Sequence, residues 1–385
     1  MTESSSGVRA DLAPLFEPLR IRGTELANRV LMSPMTQMTS PGARPGETVL
    51  EHYRSRAAGG TGLVVTEGIG IDHPASVDHS AIPRLDGPGA MDAWRVVVDA
   101  VHAAGAPIVA QLWHVGPLWG ANAMWDPEHR AALDAVRPMR PSGLWGHKGV
   151  TTYPDDEVAR WLEPIDPMSD REISDCLDAY AHSAALAVEA GFDGVEIHGG
   201  HGYLPDAFVW SETNRRTDRW GGDLAARAGF AAEAVRRVRA AIGGDRPLFY
   251  RFSQHTQQDY TALKARTPDE LGVYLGALVA AGADVLDASA RRFDAPAFPD
   301  LPGTDGELSL AGWAKRLTGA FAVGVGGVGV ATTLREAREG RKAADAGSGE
   351  NIHLAAAAVG RGEFDLLAVG RMHLKDPGYV TSLRN

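Results

Sequence analysis

The sequence predicts an α/β fold, a closed (β/α)8 TIM barrel, on three observations. Eight short β-type runs lie at 30–33, 63–66, 108–112, 195–198, 248–252, 285–288, 322–325 and 366–369. Helical periodicity at 92–104, 169–190, 224–242, 268–281 and 309–317 fills most of the gaps between them. Several of these helices stop at an Ala-Gly step, with Gly105, Gly191 and Gly282 in the place of a C-cap glycine. Strands and helices alternating over this length suggest a parallel barrel. The competing doubly wound sheet wants a Gly-x-Gly-x-x-Gly turn after its first strand, and none is present.

Ahead of the first strand, residues 15–25 predict a hairpin that closes the bottom of the barrel. The first strand runs into Ser33, Pro34, Met35 and Thr36, the second into Thr66-Glu67-Gly68, and the third into Gln111-Leu112-Trp113. Residues 113–167 then break the rhythm with an insertion that holds five of the nine tryptophans (113, 119, 125, 145 and 161). A loop of this length in a compact domain is usually a lid or binding element; an aromatic satellite core without a ligand is the alternative. Residues 1–385 therefore predict a single domain with 113–167 as its capping insertion. The segment 336–351, with Arg338, Arg341 and Lys342, predicts a solvated loop or helix end.

The fourth strand carries the densest chemistry. In Gly194-Val-Glu-Ile-His-Gly-Gly-His-Gly-Tyr203, Val195 and Ile197 alternate with Glu196 and His198, and glycines then break the strand. His198, His201 and Tyr203 therefore share a tight loop at a strand's C-terminal end. Imidazole N–H groups can polarise a carbonyl oxygen, and a phenol can deliver a proton nearby. Two surface histidines beside a packed tyrosine, or a metal site, are the other readings; His-x-x-His on a glycine loop lacks the helical frame of a zinc protease motif. Glu196 shares the inward face with His198, where an unpaired carboxylate is costly, so a cation such as Arg251 is its expected partner. The fifth strand ends at Arg251, the seventh at Val325-Gly326-Gly327-Val328-Gly329, the eighth at Gly370-Arg371. Glycine N–H groups and an arginine there suit a phosphate, a position many barrels use, with a plain turn and a surface ion pair as the equal alternative.

Composition narrows the class. Net charge is −11, against a nucleic-acid backbone as partner. The opening MTESSSGVRA has no apolar core of a secretory signal, and no apolar run is long enough to span a bilayer. The single cysteine, Cys176, excludes internal disulfides and a cluster with four cysteine ligands, and its helical surroundings predict a buried thiol. These bounds suit a cytoplasmic enzyme.

The strand ends together resemble the Old Yellow Enzyme family of FMN-dependent oxidoreductases. The resemblance is carried by Leu26-Ala-Asn-Arg-Val-Leu-Met-Ser-Pro-Met-Thr36, Gln111-Leu-Trp-His-Val-Gly116, Gly194 to Leu204, Asn214-Arg-Arg-Thr-Asp-Arg-Trp-Gly-Gly222 and Ala368-Val-Gly-Arg371. It implies an ene-reductase that uses NADPH or NADH to reduce FMN and then saturates the C=C bond of α,β-unsaturated carbonyl compounds. An amine dehydrogenase or biosynthetic oxidase on the same scaffold, or a flavin-binding protein without turnover, are the alternatives. By the resemblance, Ser33, Pro34, Met35 and Thr36 lie along the flavin ring, Gly68 approaches it closely, and Gln111 meets its pyrimidine edge. Arg251 stands beside the edge that becomes negative on reduction. Gly326, Gly327, Gly370 and Arg371 cradle the phosphate. His198 and His201 bind the substrate carbonyl oxygen, Tyr203 gives the proton, and Trp113 walls the pocket. The partner is a small molecule, with assembly into a homo-oligomer left open. Thr36 stands where one bacterial branch has a redox-tuning cysteine. The stretches 251–260 and 287–293 depart from the family pattern, and Arg291 or Arg292 is placed to reach the pocket mouth.

Overall fold

The computed structural model describes residues 9–330 and 350–384, so the segment 336–351 lies outside the described residues except at its last two positions. After an antiparallel hairpin, β1 (Leu19–Ile21) and β2 (Thr24–Leu26), eight strands follow. They are β3 (Val30–Met32), β4 (Leu63–Gly70), β5 (Ile108–Trp113), β6 (Gly194–His198), β7 (Leu248–Phe252), β8 (Val285–Ser289), β9 (Phe321–Val325) and β10 (Leu366–Val369). These eight form a closed parallel barrel in chain order, with β10 returning to β3. Each expected strand is present, and β4 runs on to Gly70, past its expected end.

The hairpin closes the N-terminal end of the barrel. Gly23 N–H donates to Asp245 O just ahead of β7 (2.7 Å), and Arg22 pairs with Asp284 just ahead of β8 (2.6 Å). Ile21 and Leu26 complete an apolar plug with Leu31, Val65, Val109 and Phe249, all inward-facing strand residues. A second apolar layer packs the strands' outer faces against the helices, through Trp94, Tyr180, Phe230 and Leu275 among others.

The helices follow the expected pattern with two differences. The pattern at 224–242 divides into Leu224–Arg227 and Gly229–Ile242, joined at Ala228, which keeps helical dihedrals. Glu47–Ala58 is a helix that weak amphipathicity conceals: only Val49, Tyr53 and Ala57 give an apolar row, and Arg56 is buried with them. Asp170–Glu189 begins with a capping box, in which Ser169 and Glu172 each satisfy the other's backbone N–H, and contains the buried Cys176. Gly105, Gly191 and Gly282 all have positive φ, as expected of helix-terminating glycines.

The insertion after β5 is built from short pieces, among them helices Arg130–Asp134 and Asp155–Trp161. Leu118, Ala121, Trp145, Val158 and Trp161 form its own small core, and Tyr203 packs against that core. The insertion is therefore joined to the turn after β6. Among the described residues, no helix is long and apolar enough to cross a membrane.

Candidate active site

The turn after β6 is shaped by close packing. A Cβ at Gly199 would lie 2.0 Å from the Tyr250 hydroxyl oxygen, so the chain leaving His198 has no room for a side chain. His201 adopts φ +62°, a left-handed conformation rare outside glycine. Its flanking hydrogen bonds hold it there. His201 N–H donates to Ser253 Oγ (2.8 Å), and Gln257 N–H donates to His201 O (3.0 Å). Next along the chain, Gly202 N–H donates to Asp206 Oδ2 (2.6 Å), the same oxygen that Lys264 Nζ meets at 2.7 Å in a fully buried ion pair.

This turn brings four residues expected in the site into one wall. The His198 and His201 rings lie edge to face at 5.0 Å, His198 and Tyr203 at 4.6 Å, and Tyr203 and Trp113 at 5.0 Å. Burial drives both imidazole pKa values well below the ordinary range; Arg251 and Lys264 add to this at His198, and neighbouring His198 and His255 add to it at His201. Both rings are therefore neutral near pH 7, each with one N–H donor. Burial likewise pushes the Tyr203 phenol up, so it keeps its proton.

Below this wall the strands present a polar floor. Arg251, only 6% exposed, donates through Nη1 to Asp287 Oδ2 (2.9 Å) and through Nη2 to Ser289 Oγ (2.9 Å). Ser289 Oγ also lies 2.9 Å from His201 Nε2, which links the floor to the wall. Glu196 faces inward and is buried as expected, but its expected pairing with Arg251 is not what the structure shows. Glu196 Oε1 accepts from Gln111 Nε2 (2.7 Å), and Arg251 is taken by Asp287. The reason is register: Gln111 and Glu196 are opposed on β5 and β6, and Arg251 and Asp287 on β7 and β8.

The β3 end continues the floor sideways. Ser33 N–H donates to Val369 O (2.9 Å), and Ser33 Oγ is 3.4 Å from Arg251 Nη1. Pro34, Met35 and Thr36 follow, held by Gln37, whose N–H donates to the buried Glu67 Oε2 (2.9 Å) and whose Nε2 donates to Met35 O (2.9 Å). A Cβ at Gly68 would lie 2.5 Å from the Trp113 ring, and one at Gly370 would lie 3.2 Å from Met35 Sδ. At β9, Gly326 and Gly327 have φ +120° and +71°, and a Cβ at Gly326 would sit 2.3 Å from Ala290 O. Asn351 ties this turn by donating to Gly327 O (2.6 Å) and accepting from Gly329 N–H (2.8 Å). Because β9 and β10 are paired, Gly370 and Arg371 lie beside it. A flavin mononucleotide fits this donor set: glycine backbone and Arg371 for the phosphate, and the buried Arg251 and Gln111 for the polar ring edge.

Some neighbours were missed in the sequence. Asp287 and Ser289 belong to the atypical stretch 287–293, where the two arginines are the more conspicuous residues in the sequence. Arg292 pairs with Asp294 at the surface, and Arg291 lies 4.5 Å over the Tyr260 ring. Gln257 Oε1 accepts from the Tyr260 hydroxyl (3.1 Å), and its side chain acts on the Tyr203 phenol against the upward push of burial, a neighbourhood that no local pattern announces. Elsewhere, His73, His114 and Cys176 bring ligand-type atoms within 4.8 Å of one another. His114 Nδ1 accepts from Gly116 N–H (3.0 Å), so the neutral ring carries its hydrogen on Nε2, the atom that faces His73 Nδ1 at 3.3 Å. The cluster is a hydrogen-bonded chain.

A closed barrel with an arginine- and glycine-lined cradle at its C-terminal end, roofed by neutral hydrogen-bond donors, defines a flavin-dependent oxidoreductase scaffold. The sequence model of the NADH:flavin oxidoreductase / NADH oxidase family matches residues 14–286, and the chain belongs to this family of flavoproteins. It is 37% identical to 12-oxophytodienoate reductase 7 of Oryza sativa subsp. japonica over 239 residues, 62% of this chain and 58% of that protein. It is 35% identical to 12-oxophytodienoate reductase 2 of Arabidopsis thaliana over 263 residues, 68% of this chain and 66% of that one. The match thus spans about three-fifths of the length of the rice protein. The structure of an old yellow enzyme homologue from Zymomonas mobilis superposes with a TM-score of 0.72 at 25% identity, covering 95% of this chain and 91% of that one. Morphinone reductase in complex with tetrahydroNAD shares the fold, with TM-score 0.72 and 23% identity over 96% of this chain and 90% of that one.

Proposed function

We propose that the chain is an ene-reductase that draws on NADPH or NADH and saturates the C=C bond of α,β-unsaturated carbonyl compounds or similar activated alkenes. The observation that carries this reading is the wall of His198, His201 and Tyr203 standing over the Arg251–Gln111 floor. Bound FMN supplies the hydride chemistry. His198 and His201 are neutral donors placed to hold one carbonyl oxygen, where charge develops as the alkene is reduced. Tyr203, protonated and packed on Trp113, is the acid for the α-carbon. Ser33, Pro34, Met35, Thr36 and Gly68 flank the ring, Gln111 and Arg251 bind its polar edge, and Gly326, Gly327, Gly370 and Arg371 hold the phosphate. The insertion 113–167 is the lid of the pocket, on the single domain 1–385. A cytoplasmic setting, where NAD(P)H is supplied, belongs to the same reading, as does a small-molecule partner; a homo-oligomer is tested by light scattering.

Anaerobic stopped flow on the FMN-loaded protein tests it. In Tyr203→Phe, reduction by NAD(P)H should persist while reoxidation by cyclohexenone falls about 10²–10⁴-fold. Reoxidation by oxygen, which needs no phenol, is the internal control. Wild-type protein that takes up FMN yet turns over no enone sinks the proposal, and an unaltered enone rate in the variant removes Tyr203 from it.

A further inference from the structure

Glu196, Asp287 and Arg251 form a sealed group at the centre of the floor, with exposures of 0%, 1% and 6%. If both carboxyls were ionised, the three would leave one net negative charge shut away from water, which is costly. Two carboxyl oxygens in this group, Glu196 Oε2 and Asp287 Oδ1, are buried without a hydrogen-bond donor. The other two are satisfied, Glu196 Oε1 by Gln111 Nε2 (2.7 Å) and Asp287 Oδ2 by Arg251 Nη1 (2.9 Å). Both side chains face the barrel interior from the two strands that flank β7, and each acts on the other's carboxyl. Two carboxylates offer only acceptors there; one hydrogen between them would satisfy both orphaned oxygens at once.

We propose that Glu196 and Asp287 share one proton, carried on Glu196 Oε2 and donated to Asp287 Oδ1, and that Glu196 in this neutral form is a positioning residue for Gln111. The proton leaves Asp287 as the single counter-charge to Arg251, so the sealed group is neutral. It also leaves Glu196 Oε1 a carbonyl-type acceptor, which pins Gln111 Nε2 and so fixes which way the carboxamide faces. Gln111 keeps its Oε1 and its second N–H for the ring edge beside Arg251. The charged groups acting on Glu196 are Asp287 and Arg251; burial and Asp287 raise its pKa, against Arg251 and Gln111. His198 and His201, farther up the wall, are neutral. This role rests on the flavin-site reading for its purpose, but the shared proton itself does not.

Infrared spectroscopy separates the two. At neutral pH, in a Glu67→Gln background that removes the other raised glutamate, the protein should show a buried protonated-carboxyl C=O stretch that shifts in heavy water. It should shift again on labelling with ¹³C-glutamate, and should vanish when Glu196→Gln is added. FMN retention supplies a second arm. Glu196→Gln puts an NH₂ where the O–H was, so it should keep FMN within about twofold of wild type at neutral pH. Asp287→Asn strips Arg251 of its carboxylate and should weaken FMN at least about tenfold. Absence of the stretch in the Glu67→Gln background, with Glu196 and Asp287 both intact, overturns the proposal. So does a Glu196→Gln protein that loses FMN as badly as Asp287→Asn. If the protein binds no FMN, the infrared result still decides the proton while the functional reading fails alone.

Discussion

At the scale of single residues, the acid of the proposed reaction depends on a neighbour that has no chemistry of its own. The Tyr260 hydroxyl donates to Gln257 Oε1 (3.1 Å), with Thr152 Oγ1 at 3.1 Å from the same phenol. The Gln257 carboxamide also acts on Tyr203, opposing the upward push of burial as an N–H donated to the phenol oxygen would. Tyr203 then accepts, and its own hydrogen is free to face the substrate. Donation also stabilises the phenolate left after proton transfer, in opposition to the burial that pushes Tyr203 up. Gln257→Leu should therefore slow reoxidation by an enone by about tenfold or more while leaving reduction by NAD(P)H intact, since hydrogen bonds to charged groups are worth about 1.5–3 kcal/mol. If Gln257 acts through Tyr203, the same change in a Tyr203→Phe background should cost nothing further; additive losses in stopped flow would refute that coupling. The residues at strand ends were legible in the sequence, because glycines break the β-type runs after His198 and Val325 and the apolar run that begins at Leu248 meets its first charge at Arg251. Their partners were not. Asp287 on Arg251 and Gln257 on Tyr203 are fixed by register and loop path, which no local pattern encodes.

At the scale of elements, the segment after β7 is sewn into both the turn after β6 and the insertion after β5. Gly149 N–H donates to Gln258 O (3.0 Å), Tyr260 N–H to Val150 O (2.7 Å), Thr151 Oγ1 to Gln257 O (2.7 Å) and Gln258 Nε2 to Trp145 O (3.1 Å). This segment departs from the family pattern in sequence, and its hydrogen bonds show what replaces that pattern. Lys264 anchors it: Nζ donates to Ser253 O (2.6 Å) and His255 O (3.1 Å) besides its bond to Asp206. Lys264→Met leaves Asp206 buried with Gly202 N–H as its remaining donor. It should cost about 3–5 kcal/mol in denaturant unfolding, because an orphaned buried charge is not compensated. Adding Asp206→Leu should recover much of that loss; a double variant as unstable as the single would mean the pair does more than balance charge. Elements with a strong period were read from sequence to within a few residues, as β7 and the helix Pro268–Ala281 show. Glu47–Ala58 escaped because its buried Arg56 interrupts the apolar row, and its reason for burial, donation to His373 O (3.1 Å), lies at the far end of the chain.

At the scale of the whole molecule, the closed barrel buries titratable groups of both kinds, and their opposed shifts set how stability depends on pH. Burial lowers His52 and His373 to about 4 and His255 to about 3, and lowers His114, His198 and His201 as well. A histidine with a depressed folded pKa contributes stability that is present above its ordinary value and lost as pH falls, because the unfolded chain takes up protons that the fold refuses. Burial raises Glu67 to about 7 and Asp206 to about 6, the latter against the pull of Lys264. For these the sign reverses: the folded state holds the proton more tightly, so stability is full below the ordinary carboxyl range and is lost as pH rises through the folded value. The two sets oppose each other between about pH 4.5 and 6.5, the histidines adding stability as pH rises and the carboxyls removing it, and of the two carboxyls only Glu67 goes on losing it to about pH 7. The histidines outnumber these carboxyls, so the melting temperature should fall as pH drops below about 6.5. Glu67 gives the cleanest dissection, because its Oε1 is buried without a partner while Oε2 takes the Gln37 N–H that fixes the turn after β3. Its rise from 4.5 to about 7 corresponds to on the order of 3 kcal/mol of stability lost across that interval. Glu67→Gln keeps the acceptor and removes the titration, so its melting temperature should gain on wild type's as pH rises from 5 to 8, while the acid limb stays. Parallel curves for the two proteins over that range would show that Glu67 is ionised in the fold throughout.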